Sequence, residues 1–120
     1  MGAWGAGNFQ DDTALDWLRL SVRQPIVEEI QSWLKKHDEG NGPAIIAAVE
    51  VLALLCERLP AEPPRPEEVT AWQRSYLRGW NRYIDGLEPT PEYKAKKLEV
   101  IKTTFEKLLA LSKKWHAGNA

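Results

Sequence analysis

The stretch PAIIAAVEVLALLCERL, residues 43–59, constrains the fold more than any other part of the chain. Its apolar residues cover nearly the whole circumference of a helix instead of one stripe. A helix of this kind needs other helices around it, because its apolar side chains would otherwise contact water. The stretch therefore predicts a central helix with the other elements packed around it.

The rest of the chain also has helical patterns, with apolar residues three and four apart. Asp11 or Asp12 is a good N-cap for a first helix that runs to about Ser21, and Thr90 is a good N-cap for the last helix. Prolines suit the first positions of the later helices, because their missing N–H needs no partner there. These prolines are Pro25, Pro43, Pro66 and Pro91. No alternating run indicates a strand, so the predicted fold is all-α, an irregular bundle of about five helices.

The length of 120 residues fits a single helical domain over residues 1–120. Three segments are expected to lie outside the helices. They are an extended N-terminal anchor segment at 1–10, a proline-rich connector at 60–66 and a turn at 88–91.

The chain opens with MGAWGAGNF, a tryptophan between glycines. A phosphate-binding loop would need a lysine after the glycines, and a dinucleotide-binding turn would need a strand before them. Neither is present. Glycines allow an irregular segment to bend, so Trp4 and Phe9 are expected to anchor the segment in the body of the protein.

The opening MGAWGAGNFQDDTALDW resembles the start of a bacterial family, domain of unknown function 4259. The alanine-rich AIIAAVEVLALL and the tryptophan-containing VTAWQRS are similar to later parts of the same family. The resemblance implies a helical, bacterial, cytosolic protein and no known catalytic residues.

Composition favours a soluble protein of a reducing compartment. The single cysteine, Cys56, excludes an intrachain disulfide. The first twenty residues lack the basic start and apolar run of a signal peptide, and residues 44–56 are too short to span a bilayer. We therefore expect a cytoplasmic location and no membrane association.

Catalytic and metal-binding patterns are weak. His37 and His116 are the two histidines, and neither has a neighbour at a metal-binding or catalytic spacing. Asp12 and Asp16 share a helix face, but a hard cation needs further oxygen ligands. We expect no enzyme activity, no cofactor and no metal, and a structural Cys56.

Glu50 is the acid in the apolar stretch. If it is buried, it needs hydrogen-bond donors, or its pKa must rise. The favoured interpretation is a structural acid that accepts hydrogen bonds, with the MGAWG amides as candidate donors. A functional acid in a pocket and plain surface exposure are the two alternatives.

Arg74, Arg78 and Arg82 are four residues apart and are expected to form one ridge, away from the aromatic face of their helix. Such a ridge suits an acidic protein or a nucleic-acid backbone, and the lysines of the last helix are expected to broaden it. A solvated face, neutralised by neighbours such as Asp85 for Arg82, is the simpler interpretation.

These observations favour a non-catalytic protein–protein interaction module of the immunity, inhibitor or adaptor type. The halves of the chain differ in charge, −4 for residues 1–60 and +3 for residues 61–120, which also allows a homodimer. The alternatives are a nucleic-acid-associated protein that uses the basic helix face, although nucleic acid is the less favoured partner, and a small-molecule binder or enzyme built around Glu50.

Overall fold

The structure, a computed structural model, describes residues 3–37 and 39–117. Over these ranges it contains helices and no β-strand, apart from one isolated bridge between Ala3 and Asp11, which confirms the predicted all-α class. The α-helices are α1 (Asp12–Trp17), α2 (Gln24–Lys36), α3 (Gly42–Arg58), α4 (Pro66–Tyr83) and α5 (Pro91–Ala117). Short 3₁₀ segments cover Glu39–Asn41 and Ile84–Leu87. Met1, Gly2 and Asp38, which belong to the predicted anchor and to the turn after α2, lie outside the described residues.

The first two predicted helices are one continuous rod. A π-helical turn, Leu18–Arg23, joins α1 to α2, and the Gln24 N–H donates to the Arg19 carbonyl five residues back. A proline inside an α-helix lacks its N–H and clashes with the carbonyl four residues earlier. The wider π turn directly before Pro25 accommodates that ring. The prediction of a helix end near Ser21 is therefore wrong, and the described residues form four helical rods instead of the expected five.

Both predicted caps are present. The Asp11 carboxylate accepts hydrogen bonds from the N–H groups of Thr13 at 2.8 Å and Ala14 at 3.4 Å. The Thr90 hydroxyl accepts from the N–H of Tyr93 at 3.1 Å. Each cap satisfies N–H groups in the first turn that have no partner inside the helix.

Helices α3 and α5 pack side by side and run in the same direction. Pro43 and Lys97 line a common cleft at one end, and Glu57 and Lys107 form an ion pair of 3.0 Å near the other. Helices α2 and α4 complete a single core. Its most buried side chains include Ile30, Val49, Leu52, Val69, Tyr76, Ile101, Phe105 and Leu108.

Tyr76 connects all four rods. Its ring centroid lies 5.1 Å from that of Trp33 on α2 and 5.9 Å from that of Phe105 on α5. Its hydroxyl donates a 2.8 Å hydrogen bond to the carbonyl of Gly42 at the start of α3. Burial raises the pKa of Tyr76 well above its ordinary value, so the hydroxyl keeps the hydrogen that this bond requires.

Gly79 on α4 allows the end of α2 to approach closely. A Cβ at this position would lie 2.9 Å from the His37 ring and 3.2 Å from Trp33. His37 itself takes the left-handed conformation, with φ 51°, and ends α2. The close approach brings Trp33 against Tyr76.

The proline-rich connector after α3 is held through its carbonyls. The Arg23 guanidinium donates to the carbonyl of Glu62, the His116 ring to that of Pro63 at 3.0 Å, and the Ser112 hydroxyl to that of Pro64. Prolines offer no N–H for regular structure. Side chains from the first rod and from α5 therefore fix this segment, and Ala61 is 2% exposed.

Helix α3 is not the enclosed central helix that its sequence predicts. Its inner side is buried, but Ala44 and Ala47 are exposed, Val51 is 46% exposed and Leu54 is 42% exposed. The reason is that α3 packs mainly against α2 and α5. Two neighbouring rods leave a third side of the helix open.

Replacing Tyr76 by Phe should lower the free energy of unfolding by about 1–3 kcal/mol, because the buried Gly42 carbonyl loses its donor. Tyr93→Phe is the matched control, since Tyr93 is 55% exposed, and it should change stability by less than about 0.5 kcal/mol. Urea unfolding followed by tryptophan fluorescence measures both values. Equal stability of the two variants would contradict the role given to the Tyr76 hydroxyl.

Candidate functional site

Residues 3–17, here called the N-terminal arm, have no buried side chain. Trp4 is 58% exposed and Trp17 is 57% exposed. Leu20, which follows three residues after Trp17 in the π turn, is 56% exposed. The arm thus presents large apolar side chains to solvent at one end of the molecule.

The arm folds on itself instead of on the bundle. The Trp4 N–H donates to the Gln10 carbonyl at 3.0 Å, and the Gly7 N–H donates to the Gln10 side chain at 2.8 Å. A Cβ on Gly5 would lie 2.4 Å from the same side chain, so the glycines make room for Gln10. The prediction that Trp4 anchors the segment in the body is therefore wrong, while Phe9 is half-buried.

The arm is acidic. It contains Asp11, Asp12 and Asp16 and no Lys or Arg. Asp11 caps α1, and Asp16 forms a 3.1 Å ion pair with Arg19 in which both side chains are 62% exposed. Exposed pairs of this kind contribute little to stability, so the Asp16 carboxylate remains available to an external partner.

A groove of about 640 Å³ lies between α3 and α5. Its walls are apolar in the middle, with Leu54 from α3 and Val100 from α5, and both side chains are more than 40% exposed. Four charged side chains also line it, namely Glu50, Lys96, Glu99 and Lys107.

Glu50 is exposed at this groove. The favoured sequence interpretation, a buried acid that accepts hydrogen bonds from the MGAWG segment, is therefore wrong. The reason is the open third side of α3, which carries Glu50 together with Val51 and Leu54. The Trp4 N–H, one of the proposed donors, pairs with the Gln10 carbonyl instead.

Arg74, Arg78 and Arg82 are all exposed on α4, while Trp72, Tyr76 and Trp80 on the same helix are buried. The α5 lysines do not all join them. Among the described residues, Lys96 and Lys107 line the groove between α3 and α5, and Lys94 pairs with Asp85 at 2.6 Å. Asp85, the expected neighbour of Arg82, is thus engaged by Lys94.

His37 lies near this ridge, and the sequence did not predict that position. The Ser75 hydroxyl donates to the Leu34 carbonyl at 3.2 Å, so it accepts from Nε2 of His37 at 3.1 Å. This pairing places the hydrogen of a neutral His37 on Nε2. Burial, followed by the nearby charges of Arg82 and Arg78, lowers the pKa of His37 below its ordinary value.

The environment of Cys56 disfavours a reactive thiol. Burial raises the pKa of Cys56 to about 11, so its thiol stays protonated at neutral pH and is a poor nucleophile.

Within residues 3–37 and 39–117, no three His, Cys, Asp or Glu side chains form a group that would hold a metal ion. Within the same ranges, no helix has the length and apolarity needed to cross a bilayer.

Comparison with known proteins assigns the chain to a family. A family model described as Domain of unknown function (DUF4259) matches residues 2–117. No curated protein and no solved structure matches the chain significantly.

Replacing Glu50 by Ala should change the free energy of unfolding by less than about 0.5 kcal/mol, because the carboxylate is exposed. Leu52→Ala, two residues away on the same helix and 0% exposed, should cost about 2–5 kcal/mol. Chemical unfolding of both variants makes the comparison. A large loss of stability in Glu50→Ala would indicate that Glu50 is buried and would contradict the prediction.

His37 should make the protein less stable as the pH falls below about 6.5, its ordinary pKa. Because the pKa is lower in the folded state, the unfolded chain binds more protons in this range, and stability rises with pH. Between about pH 5 and 7.5, the free energy of unfolding should therefore rise more steeply with pH in the wild type than in His37→Asn. Asn tolerates the left-handed conformation at this position. Identical pH slopes in the two proteins would contradict the prediction.

Proposed function

The chain belongs to the DUF4259 family, and we propose that it is a non-catalytic protein–protein interaction module of the bacterial cytoplasm. It acts as an immunity factor, inhibitor or adaptor by binding another protein through its N-terminal arm. The observation that carries the proposal is the exposure of Trp4 and Trp17, 58% and 57% respectively, on a segment without buried side chains.

Tryptophan is the side chain most suited to this role. Each aromatic residue can bury about 150–250 Å² on binding, and tryptophans are enriched among the few residues that carry most of the energy of protein interfaces. Leu20, three residues after Trp17, adds a third large apolar side chain with 56% of its surface exposed. Several exposed apolar side chains of this size within one segment favour an interaction site over a plain solvated surface.

The charge of the arm indicates the chemistry of a partner that would fit it. Asp11, Asp12 and Asp16 lie between the two tryptophans in the sequence, and Arg19, which pairs with Asp16, is the nearest basic residue along the chain. A complementary partner therefore has apolar pockets for the indole rings and a rim rich in Lys and Arg. Complementary charge speeds association and excludes acidic competitors.

The groups with catalytic potential support a non-catalytic role. His37 is bonded to Ser75, the Cys56 thiol is protonated, and Glu50 stands in an open groove. His37 ends α2, while Glu50 and Cys56 are six residues apart on α3, and His37 hydrogen-bonds to neither of them. An acid–base or nucleophilic mechanism requires such groups within hydrogen-bond reach of one another.

Trp17→Ala should weaken partner binding without a change in stability. The test places a photo-crosslinking amino acid at position 20 and identifies the protein captured in cells by mass spectrometry. With the captured protein purified, the affinity of Trp17→Ala should fall by at least about tenfold, as expected for a buried aromatic anchor. Leu87→Ala is the control, because Leu87 is 69% exposed and lies at the opposite end of α2 from the arm, beside Gly40. Equal affinity of the Trp17 and Leu87 variants would refute the proposal.

The arginine ridge supports the second candidate function, binding of a nucleic-acid backbone. Arg74, Arg78 and Arg82 are exposed in one row, a geometry suited to phosphates. Binding through the ridge would weaken steeply with salt and would fall on replacement of all three arginines by Ala, while Trp17→Ala would leave it unchanged. Such a result would favour the second candidate over the first.

A further inference from the structure

The outer face of α3 has apolar side chains that the single chain does not bury. Ala44, Ala47, Val51 and Leu54 recur three and four residues apart and therefore share one face, and all four are exposed. This face explains why the sequence of α3 is apolar around its whole circumference although only part of it is packed. A helix that is apolar on every side normally has neighbours on every side.

The groove between α3 and α5 continues this face. Leu54 on one wall and Val100 on the other are 42% and 46% exposed. Thr104 contributes little polarity, because its hydroxyl donates to the Val100 carbonyl of its own helix at 2.8 Å. The groove is open along its length and is formed by two helices, so its shape fits another helix better than an enclosed ligand.

The groove carries charges of both signs, so the groove of one copy can complement that of another. Glu50 and Glu99 supply two negative charges, and Lys96 and Lys107 supply two positive charges, of which Lys107 also forms a 3.0 Å ion pair with Glu57 of its own chain. In an interface with two-fold symmetry each copy presents the same surface, so that surface must contain both members of each interacting pair. A groove with equal numbers of acids and bases meets this requirement.

We propose that the groove and the outer face of α3 dock a second copy of this chain, which forms a dimer with two-fold symmetry. Leu54 of each copy enters the groove of the other, and the acids of one copy face the lysines of the other. The proposal does not depend on the partner of the N-terminal arm.

The available area fits a weak dimer. Helix α3 has 17 residues, which gives a length of about 25 Å at about 1.5 Å per residue. With α5 beside it the face is about 20 Å wide, or about 500 Å² per copy. The two copies together bury about 1,000 Å², the lower limit for a specific interface. An interface of this size is typical of weak, transient association.

A second copy fits the groove better than the arm does. The arm contains three acids and no base within residues 3–17, so it would leave Glu50 and Glu99 facing like charges. Like charges across an interface oppose association. The groove of a second copy offers Lys96, and it offers Lys107 where the exposed pair of that lysine with Glu57 is exchanged for the partner's acid.

Sedimentation velocity of the purified full chain, up to about 500 µM so that a weak interface is populated, is the first test. The wild type should change from monomer to dimer as concentration rises. Leu54→Asp should weaken the dimer by at least about tenfold, because it places an unpaired charge in the apolar contact. Leu87→Asp, at an exposed position outside the groove, should leave dimerisation unchanged.

A charge-exchange experiment tests the symmetry. Lys96→Glu and Glu50→Lys give grooves with net charges of opposite sign, so each variant alone should dimerise more weakly than the wild type. An equimolar mixture should form a heterodimer more tightly than either variant self-associates, because opposite charges then face each other. Both positions are exposed, and thermal unfolding checks that each variant is folded.

A wild type that stays monomeric over the whole range would overturn the proposal. Equal dimerisation of the wild type and folded Leu54→Asp would also overturn it, as would a mixture that associates no better than its components. Dimerisation that is lost in Trp17→Ala but kept in Leu54→Asp would assign self-association to the arm instead. A failure of arm-dependent partner capture would leave the groove result unchanged, so the two proposals fail separately.

Discussion

The arrangement of the helices depends on Tyr76, a side chain that is 1% exposed and that contacts every rod of the bundle. Its ring lies between Trp33 and Phe105, and its hydroxyl holds the Gly42 carbonyl at the start of α3. A tyrosine suits this position because one side chain supplies both a large apolar surface and one hydrogen-bond donor. The contacts concentrate at one end of α3, where the chain enters that helix from the turn after α2.

Apolar surface remains open on the outer side of α3, because α2 and α5 are the main neighbours of this helix. The rods that meet at Tyr76 bury one side of α3, and nothing in the rest of the described chain covers Val51 or Leu54, which are 46% and 42% exposed. At the opposite end the proline-rich connector, not the N-terminal arm, closes the bundle through its bonds to Arg23, Ser112 and His116. The arm therefore has no core position to fill, and its tryptophans face solvent.

The sequence predicted those features of the fold that depend on residues close together in the chain. The caps at Asp11 and Thr90 and the aromatic face of α4 depend only on nearby residues, and all were predicted. Pro25 was misread because a π turn and a helix break have the same sequence signature. Trp4 and Glu50 were misplaced because burial depends on how many rods surround a residue, which spacing along one helix does not specify. The groove was missed for the same reason, since it combines residues from α3 and α5.

The two candidate surfaces would reinforce each other. A dimer through the groove would carry two arms, because the arm and the groove use different residues. If the partner also presents two sites at a matching distance, the second contact becomes intramolecular, and the overall affinity can exceed that of one arm by about 10²–10⁴. This coupling would let a weak dimer interface and a short aromatic arm together produce strong binding. A monomeric variant such as Leu54→Asp would then keep the intrinsic affinity of each arm and lose only the gain from bivalency.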